Sequence, residues 1–599
     1  MAKRSRWTGP GYRPATALAC LALAAGAADS ARPVSAIELR SPGDSISGRF
    51  DTTVTVGASM RVQDRDEDLV GVANGGDANS INGDDGNLNF DKGDLTSLSA
   101  NVTHELDLRW RNLGFFGRGF YFYDAAIMQI EPERTDFTEE AKDDAGRNAE
   151  LLDAYLTGDF ALGRFPVSLR FGRQVISWGE STFIQNGINV INPVDVTRLR
   201  VAGAELREAL RPVMAVDVDV GLTDNLSVEG FWQLKEQTTE IEPAGTFFST
   251  NDFASPGGKR VFLGFGQPPI SDDPPLPPGA NPPLGTSVPR SSDNEASDGG
   301  QFGLALRYFA PVLNDTEFGL YYIRHHSRLP LISARTGTVE GLLAGDYAES
   351  ARYFVEYPED VDLFGASFNT ALGTSGLALQ GELSYRIDQP LQVDDIELLY
   401  AGLSPAAPGL FGENQLGTFG FSERIPGFRR KDVVQGQLTA TQVFGPRFGA
   451  DQWTLIGEAG ATYIRDMESK DELRYDGPGT YTSGNPFFIG AGIQPATTTD
   501  GFADDFSWGY RLALRGQYLG AAGPVNLAPQ IAFAHDVNGT TPQPLGNFVE
   551  GRKVVSLSLG ASYLNTIQGD LSYTSFFGGD DFNLLKDRDF VSVSISYFF

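Results

Sequence analysis

The chain has 599 residues, a formal net charge of −30, 11% aromatic side chains, 70 glycines and one cysteine, Cys20. So acidic a balance excludes the basic stripe a nucleic-acid partner needs, and a lone cysteine excludes intrachain disulfides and thiolate metal sites. After residue 36, no apolar stretch approaches the ~20 residues of a membrane-spanning helix.

Lys3, Arg4, Arg6 and Arg13 precede a small and apolar run at 15–28, and Val34-Ser35-Ala36 is a small-residue cleavage pattern. Residues 1–36 are therefore expected to be a secretory signal peptide, cut between Ala36 and Ile37 and left out of the fold. Cys20 lies within it; lipidation there would want a Leu where Ala17 stands. The first 36 residues carry five basic side chains and one acidic, which leaves the remainder near −34. Residues 37–599 are expected to form one domain.

Alternating apolar and polar runs mark strands with two unlike faces. They are predicted near 51–62, 97–110, 115–126, 150–161, 166–175, 212–220, 226–235, 301–309 and 316–326. Nine more follow near 361–371, 377–387, 433–444, 453–465, 506–518, 525–535, 553–563, 568–576 and 589–599. The gaps alternate long and short, and short ones such as Gly163-Arg164 and Thr223-Asp224-Asn225 carry turn chemistry. A soluble sandwich or propeller gives no reason for that alternation. A transmembrane antiparallel up-and-down β-barrel does, with short periplasmic turns and long extracellular loops. About 18 strands are expected (16–18), an even number that puts both termini on the periplasmic side, around an aqueous lumen. Near 553–563, Val555, Leu557, Leu559, Ala561 and Tyr563 share one face and Ser556, Ser558 and Ser562 the other. Trp110, Phe115, Phe116, Phe309, Trp453, Tyr518 and Tyr597 are placed for interfacial girdles. The last strand alternates to its end, and Tyr597 with Phe599 resembles the signal read by the barrel-assembly machinery. Outer-membrane lipid and lipopolysaccharide are the expected surroundings.

Three gaps and one set of wall charges carry candidate sites. The acidic loop 63–96 presents Asp85, Asn87, Asn89 and Asp91 at alternate positions, a spacing of oxygen ligands that suits calcium. Phe90 and Thr96 stand where an EF-hand needs Gly and Glu, so it is no EF-hand, and a solvated loop is the alternative. The segment 176–211 carries Glu180, Asp195, Arg198, Arg200, Glu205, Arg207, Glu208 and Arg211. Folded into the lumen, opposed charges of this kind would form a constriction and a transverse field. The alternative is an external loop or a short helix with solvated charges. Loop 236–300 holds Pro268-Pro269, Pro274-Pro275, Pro277-Pro278 and Pro282-Pro283, a density that resists sheet pairing and predicts a mobile surface loop. On the wall, Glu105, Asp107, Arg109, Asp217, Asp219, Arg307, Glu458, Arg511 and Arg515 are expected to face the lumen. A Lys or Arg facing lipid at mid-bilayer would cost about 2–4 kcal/mol.

The run Phe171-Gly172-Arg173-Gln174-Val175-Ile176-Ser177-Trp178-Gly179-Glu180, continued by Asn189-Val190-Ile191-Asn192-Pro193-Val194-Asp195, resembles a large proteobacterial outer-membrane family catalogued as a domain of unknown function. The stretches 201–212 and 87–94 continue the likeness. The resemblance implies a porin-like barrel, with some members linked to hydrophobic compounds and to envelope transporter complexes. The expected function is an outer-membrane channel for small, hydrophobic or aromatic organic solutes. The alternative is a non-conducting receptor or accessory protein of an envelope export or lipid-trafficking complex. No enzyme is expected: His104, His325, His326 and His535 show no zinc spacing, and neither a G-x-S-x-G elbow nor a Walker loop occurs. No cofactor is expected apart from the calcium candidate. With only 37–49 before the first strand there is no room for a plug domain, so any gate would come from internal loops; a monomer is expected rather than a trimer.

Overall fold

The computed structural model describes residues 37–41, 45–272, 284–373, 375–496 and 499–599. The expected signal segment 1–36 with Cys20, and Pro274-Pro275, Pro277-Pro278 and Pro282-Pro283, lie outside the described residues.

Every predicted strand is present. The barrel strands are β1 (Ser47–Arg61), β2 (Leu95–Trp110), β3 (Leu113–Asp124), β4 (Arg147–Leu162), β5 (Phe165–Gln174) and β6 (Val213–Thr223). They continue as β7 (Leu226–Gln233), β8 (Phe302–Ala310), β9 (Thr316–His325), β10 (Val361–Ala371), β11 (Leu377–Gln392) and β12 (Phe428–Phe444). The circuit ends with β13 (Gln452–Arg465), β14 (Phe506–Ala522), β15 (Val525–Asn538), β16 (Lys553–Tyr563), β17 (Ile567–Phe577) and β18 (Phe590–Phe598). Each pairs antiparallel with the next, and β18 returns to β1 in a register running from Thr53↔Phe598 to Arg61↔Phe590. Phe599 exchanges two backbone hydrogen bonds with Thr52, at 2.7 and 2.9 Å, so the last residue is tied into the wall. The first strand begins earlier than expected, at Ser47, and a short strand Ile37–Arg40 pairs beside Ser47, Gly48, Arg49 and Phe50.

Period-two patterning explains the facing. One row around the wall reads Ile531, Leu557, Tyr573, Val591 and Met60, each on a neighbouring strand. The adjacent row, facing the other way, reads Gln530, Ser558, Ser572, Ser592, Ser59 and Ser97. Leu557, Met60 and Ile531 are exposed, whereas Ser59 and Ser97 are buried. The apolar row faces outward, the reverse of a soluble protein. A closed barrel with an apolar outer belt leaves no backbone group unpaired in hydrocarbon, and such a barrel spans the outer membrane of a Gram-negative cell.

The long connections leave one rim and fold into a cap. Strands Leu331–Arg335, Arg352–Glu356 and Arg424–Ile425 form a small sheet, and helix Asp395–Leu403 packs beside it. The described part of the Pro-rich loop departs from the mobile loop expected. Arg260–Phe262 pairs with Ser287–Pro289, and Phe247, Phe248 and Phe253 are buried. Aromatic anchors hold this loop where proline content alone suggested none.

Facing can be checked directly. Leu557→Arg is expected to destabilise the barrel by about 2–4 kcal/mol in denaturant unfolding from phospholipid vesicles, and Ser558→Arg, one residue on and inward, by far less. Equal costs would contradict the assigned facing.

Candidate functional site

After β5 the chain turns into the barrel. Several inward positions on this side of the wall are apolar: Val213, Ala215, Phe231, Ala305, Ile323 and Leu363. Left facing water, that surface would be unfavourable by roughly 25 cal/mol per Å². Ile176, Trp178, Ile188 and Ile191 cover it. Trp178 is 1% exposed, with its ring 5.1 Å from Phe231 and 5.8 Å from Tyr321. The lumen is therefore not the open aqueous space expected; a small hydrophobic core lies within it.

The segment then continues along the adjoining strands of the same wall, where two carboxylates receive its backbone. Glu382 on β11 accepts from the amides of Ser181 at 3.1 Å and Ile188 at 2.8 Å, from that of Glu180, and from Gln437 Nε2 at 2.7 Å. Glu458 on β13 accepts from the amides of Thr182, Phe183 and Ile184 at 2.9, 2.6 and 2.7 Å, and from Thr439 Oγ1 at 3.1 Å. Arg386 donates to the Gly187 carbonyl at 3.0 Å. Gly179 has φ +89°, and a Cβ there would lie 2.5 Å from Glu382 Oε2. Glycine is thus required both for the turn and for the approach.

A second arm, 193–211, reaches the opposite wall. Asp195 caps the short helix Val196–Leu199 and pairs with Arg198 at 2.8 Å. Arg198 also meets Glu150 on β4 at 2.9 Å and lies over the Phe120 ring. Gly203 packs on Thr55 of β1 and Ser594 of β18. Arg207 pairs with Glu105 at 2.9 Å and with Glu205 at 2.6 Å, Glu208 accepts from Thr103 at 2.7 Å, and Arg211 pairs with Glu240 at 2.6 Å. Arg200 lies over Phe248 at 4.5 Å, with Glu242 at 3.7 Å. Glu180 accepts from Asn369 at 3.0 Å. All eight expected residues gather inside or at the mouth of the barrel, and they do so paired. Their charges fasten the segment rather than standing free across a gap.

The wall set divides. Glu105 bridges Arg118 and Arg207; Asp217 pairs with Arg170 at 2.6 Å, Arg307 with Glu229, and Arg511 with Asp536 at 2.6 Å. Asp219 lies one inward step beyond Asp217 on β6. Asp107 and Arg109 stand 3.6 Å apart and largely exposed at the periplasmic end. Arg515 faces a polar space with Gln517, Gln530, Ser558 and Asp570 in the periplasmic half of the lumen. Sequence reasoning missed Glu382, Arg386 and Trp178. Glu382 was findable, because strand parity alone turns it inward with Ser384 and Gln380. The rings of Tyr597 and Phe599 sit 5.2 Å apart at the closing seam.

The four alternate residues of the acidic loop do not converge. Asn87 donates to Asp587 at 2.7 Å, Asn89 Oδ1 accepts from the amides of Arg134 and Thr135, and Asp91 pairs with Arg65. Asp85 turns instead toward Asp84 and Asp252. Burial pushes Asp84 up to about 6 and Asp85 up to about 7, helped by neighbouring carboxylates.

Above the inward segment, the cap encloses a cavity of about 470 Å³. Phe248, Phe253, Tyr353, Leu399, Tyr481 and Phe582 supply apolar and aromatic surface, and Asp395, Asp476, Arg335, Arg352 and Arg552 are among the many polar and charged groups interleaved with it. Arg200 also lines it and so joins the cavity to the segment below.

A family model matches residues 13–599, and its description is a protein of unknown function (DUF1302). The chain belongs to that family. No curated protein sequence matches it. Among solved structures it is similar to Acinetobacter baumannii OccAB1, at 9% identity over 92% of this chain and 96% of that one, with a TM-score of 0.41. It is also similar to Pseudomonas aeruginosa OccK2 (OpdF) in complex with glucuronate, at 9% identity over 92% and 97%, with a TM-score of 0.38.

Charge-assisted hydrogen bonds contribute about 1.5–3 kcal/mol each, so the double variant E382Q/E458Q should free the crossing arm. Hydrogen exchange at Thr182, Phe183, Ile184 and Ile188 is expected to accelerate by about tenfold or more. Unchanged protection would show that the apolar core alone holds the segment.

Proposed function

We propose that this protein is an outer-membrane channel for small hydrophobic or aromatic organic solutes, with selectivity set where 176–211 crosses the lumen. The observation that carries this reading is the crossing itself. The segment is anchored to opposite walls of the barrel, with polar and ion-paired groups around it. Rigid, preorganised lining of that kind suits selective passage, because pore size and fixed charge decide what enters. The cavity in the cap supports the choice of solute. Its volume lies in the range of small-molecule sites, and aromatic surface interleaved with polar and charged groups suits an aromatic body that carries polar substituents. Arg200, shared by cavity and segment, is the proposed point of transfer from capture to passage. No catalytic role is proposed for any residue.

Purified protein in planar bilayers is expected to give steady conductance that falls when an aromatic solute is added; persistent silence would overturn the channel reading in favour of a receptor or accessory role. In proteoliposome uptake, F248A/F253A is expected to slow flux of an aromatic solute at low concentration more than at saturation. An equal effect at both would remove the cavity from the path.

A further inference from the structure

Carboxylate oxygens of Asp84, Asp85 and Asp252 lie within 4.8 Å of one another. Asp84 and Asp85 belong to the connection between β1 and β2, and Asp252 to the one between β7 and β8. The cluster therefore joins two loops that leave the rim at separate places. Their backbones touch here as well, since a Cβ on Gly83 would lie 2.6 Å from the Thr250 carbonyl oxygen.

Each carboxylate has one oxygen held by a protein donor. Asp84 Oδ2 accepts from the Gly71 amide at 2.8 Å and from Asn74 at 2.9 Å. Asp85 Oδ1 accepts from Thr135 at 2.7 Å, and Asp252 Oδ2 from the Asp85 amide at 3.1 Å. The other oxygens differ. Asp84 is 2% exposed, and its Oδ1 is buried with no donor in reach among the described residues, as is Oδ1 of Asp252. Of the neighbouring cations, Arg134 is taken by Asp272 and Asn74, and Arg588 by Asp587 and the Phe247 carbonyl. Buried negative charge without a partner is strongly unfavourable, and an oxygen with no donor in a carboxylate group is what a metal ion satisfies.

We propose that Asp84, Asp85 and Asp252 bind calcium, which latches the acidic loop to the 234–301 loop over the barrel mouth. An all-oxygen donor set selects a hard cation. Ligand distances of about 2.3–2.6 Å let calcium span oxygens as far apart as about 4.8 Å, whereas magnesium needs them closer. Asp394, Asp395 and Asp476 form a second carboxylate group, but among the described residues none of its oxygens is buried without a donor. Asp394 uses both of its oxygens on the amides of Ile396 and Glu397. That group is the internal control.

The test is calorimetric titration of the full chain in detergent with calcium chloride alone. Saturable binding is expected with a dissociation constant of about 1 mM or tighter. D84N/D252N should weaken it by about tenfold or more, and D395N/D476N should leave it unchanged. No heat at millimolar calcium, an unaltered isotherm in D84N/D252N, or loss only in D395N/D476N would overturn the proposal. Should D84N/D252N fail to fold, hydrogen exchange of the unaltered protein decides. Calcium is expected to protect 82–86 and 250–254 together, and no change in either segment overturns the latch.

Discussion

Hydrocarbon offers no partner to a backbone N–H or C=O, and the rest of this molecule follows from that constraint. A sheet in a bilayer must close on itself, and here closure is made by β18 returning to β1, with Phe599 bonded to Thr52. Closure fixes which residues see lipid and which see the lumen. It also sends nine long connections to one rim, where they either fold over the mouth or turn inside.

The inward turn of 176–211 depends on two departures from a simple porin wall. One is the apolar surface built from Val213, Phe231, Ile323 and their neighbours, which faces inward and needs a cover. The other is a pair of buried carboxylates, Glu382 and Glu458, saturated by backbone amides rather than by cationic side chains. Several amide donors converge on each carboxylate, and each thereby orders a stretch of loop that has no regular secondary structure. Apolar cover and charge-assisted bonds on adjoining strands, with the ion pairs of 193–211 on the opposite wall, hold a strand-free segment across the lumen.

The strands were legible because a half-lipid, half-lumen wall writes itself as a period of two, as the Leu557 and Ser558 rows illustrate. The loops were legible only in composition. The charges of 176–211 were visible, but not that Arg207 would meet Glu105 or Arg198 meet Glu150, because those partners come from distant strands. Trp178 stood inside a recognisable motif, yet its role as a core residue needed Phe231 and Tyr321 to be seen beside it. The oxygen spacing at 85–91 singled out Asp85, whose carboxylate lies with those of Asp84 and Asp252 rather than with Asn87, Asn89 and Asp91. Asp252, which completes the cluster with Asp84 and Asp85, lies 167 positions from Asp85, and no local spacing rule reaches that far.

The central claim is that the anchored crossing of 176–211 sets what passes through the barrel. Single-channel recording tests it most directly, by comparing the natural chain with one in which 178–188 is replaced by a Gly-Ser stretch of equal length. That change removes Trp178, Ile184 and Ile188 and leaves Glu382 and Glu458 without their ordered amides, while the wall is untouched. The account expects a several-fold larger conductance and weaker discrimination between solutes. Identical conductance and selectivity in the two proteins would contradict it.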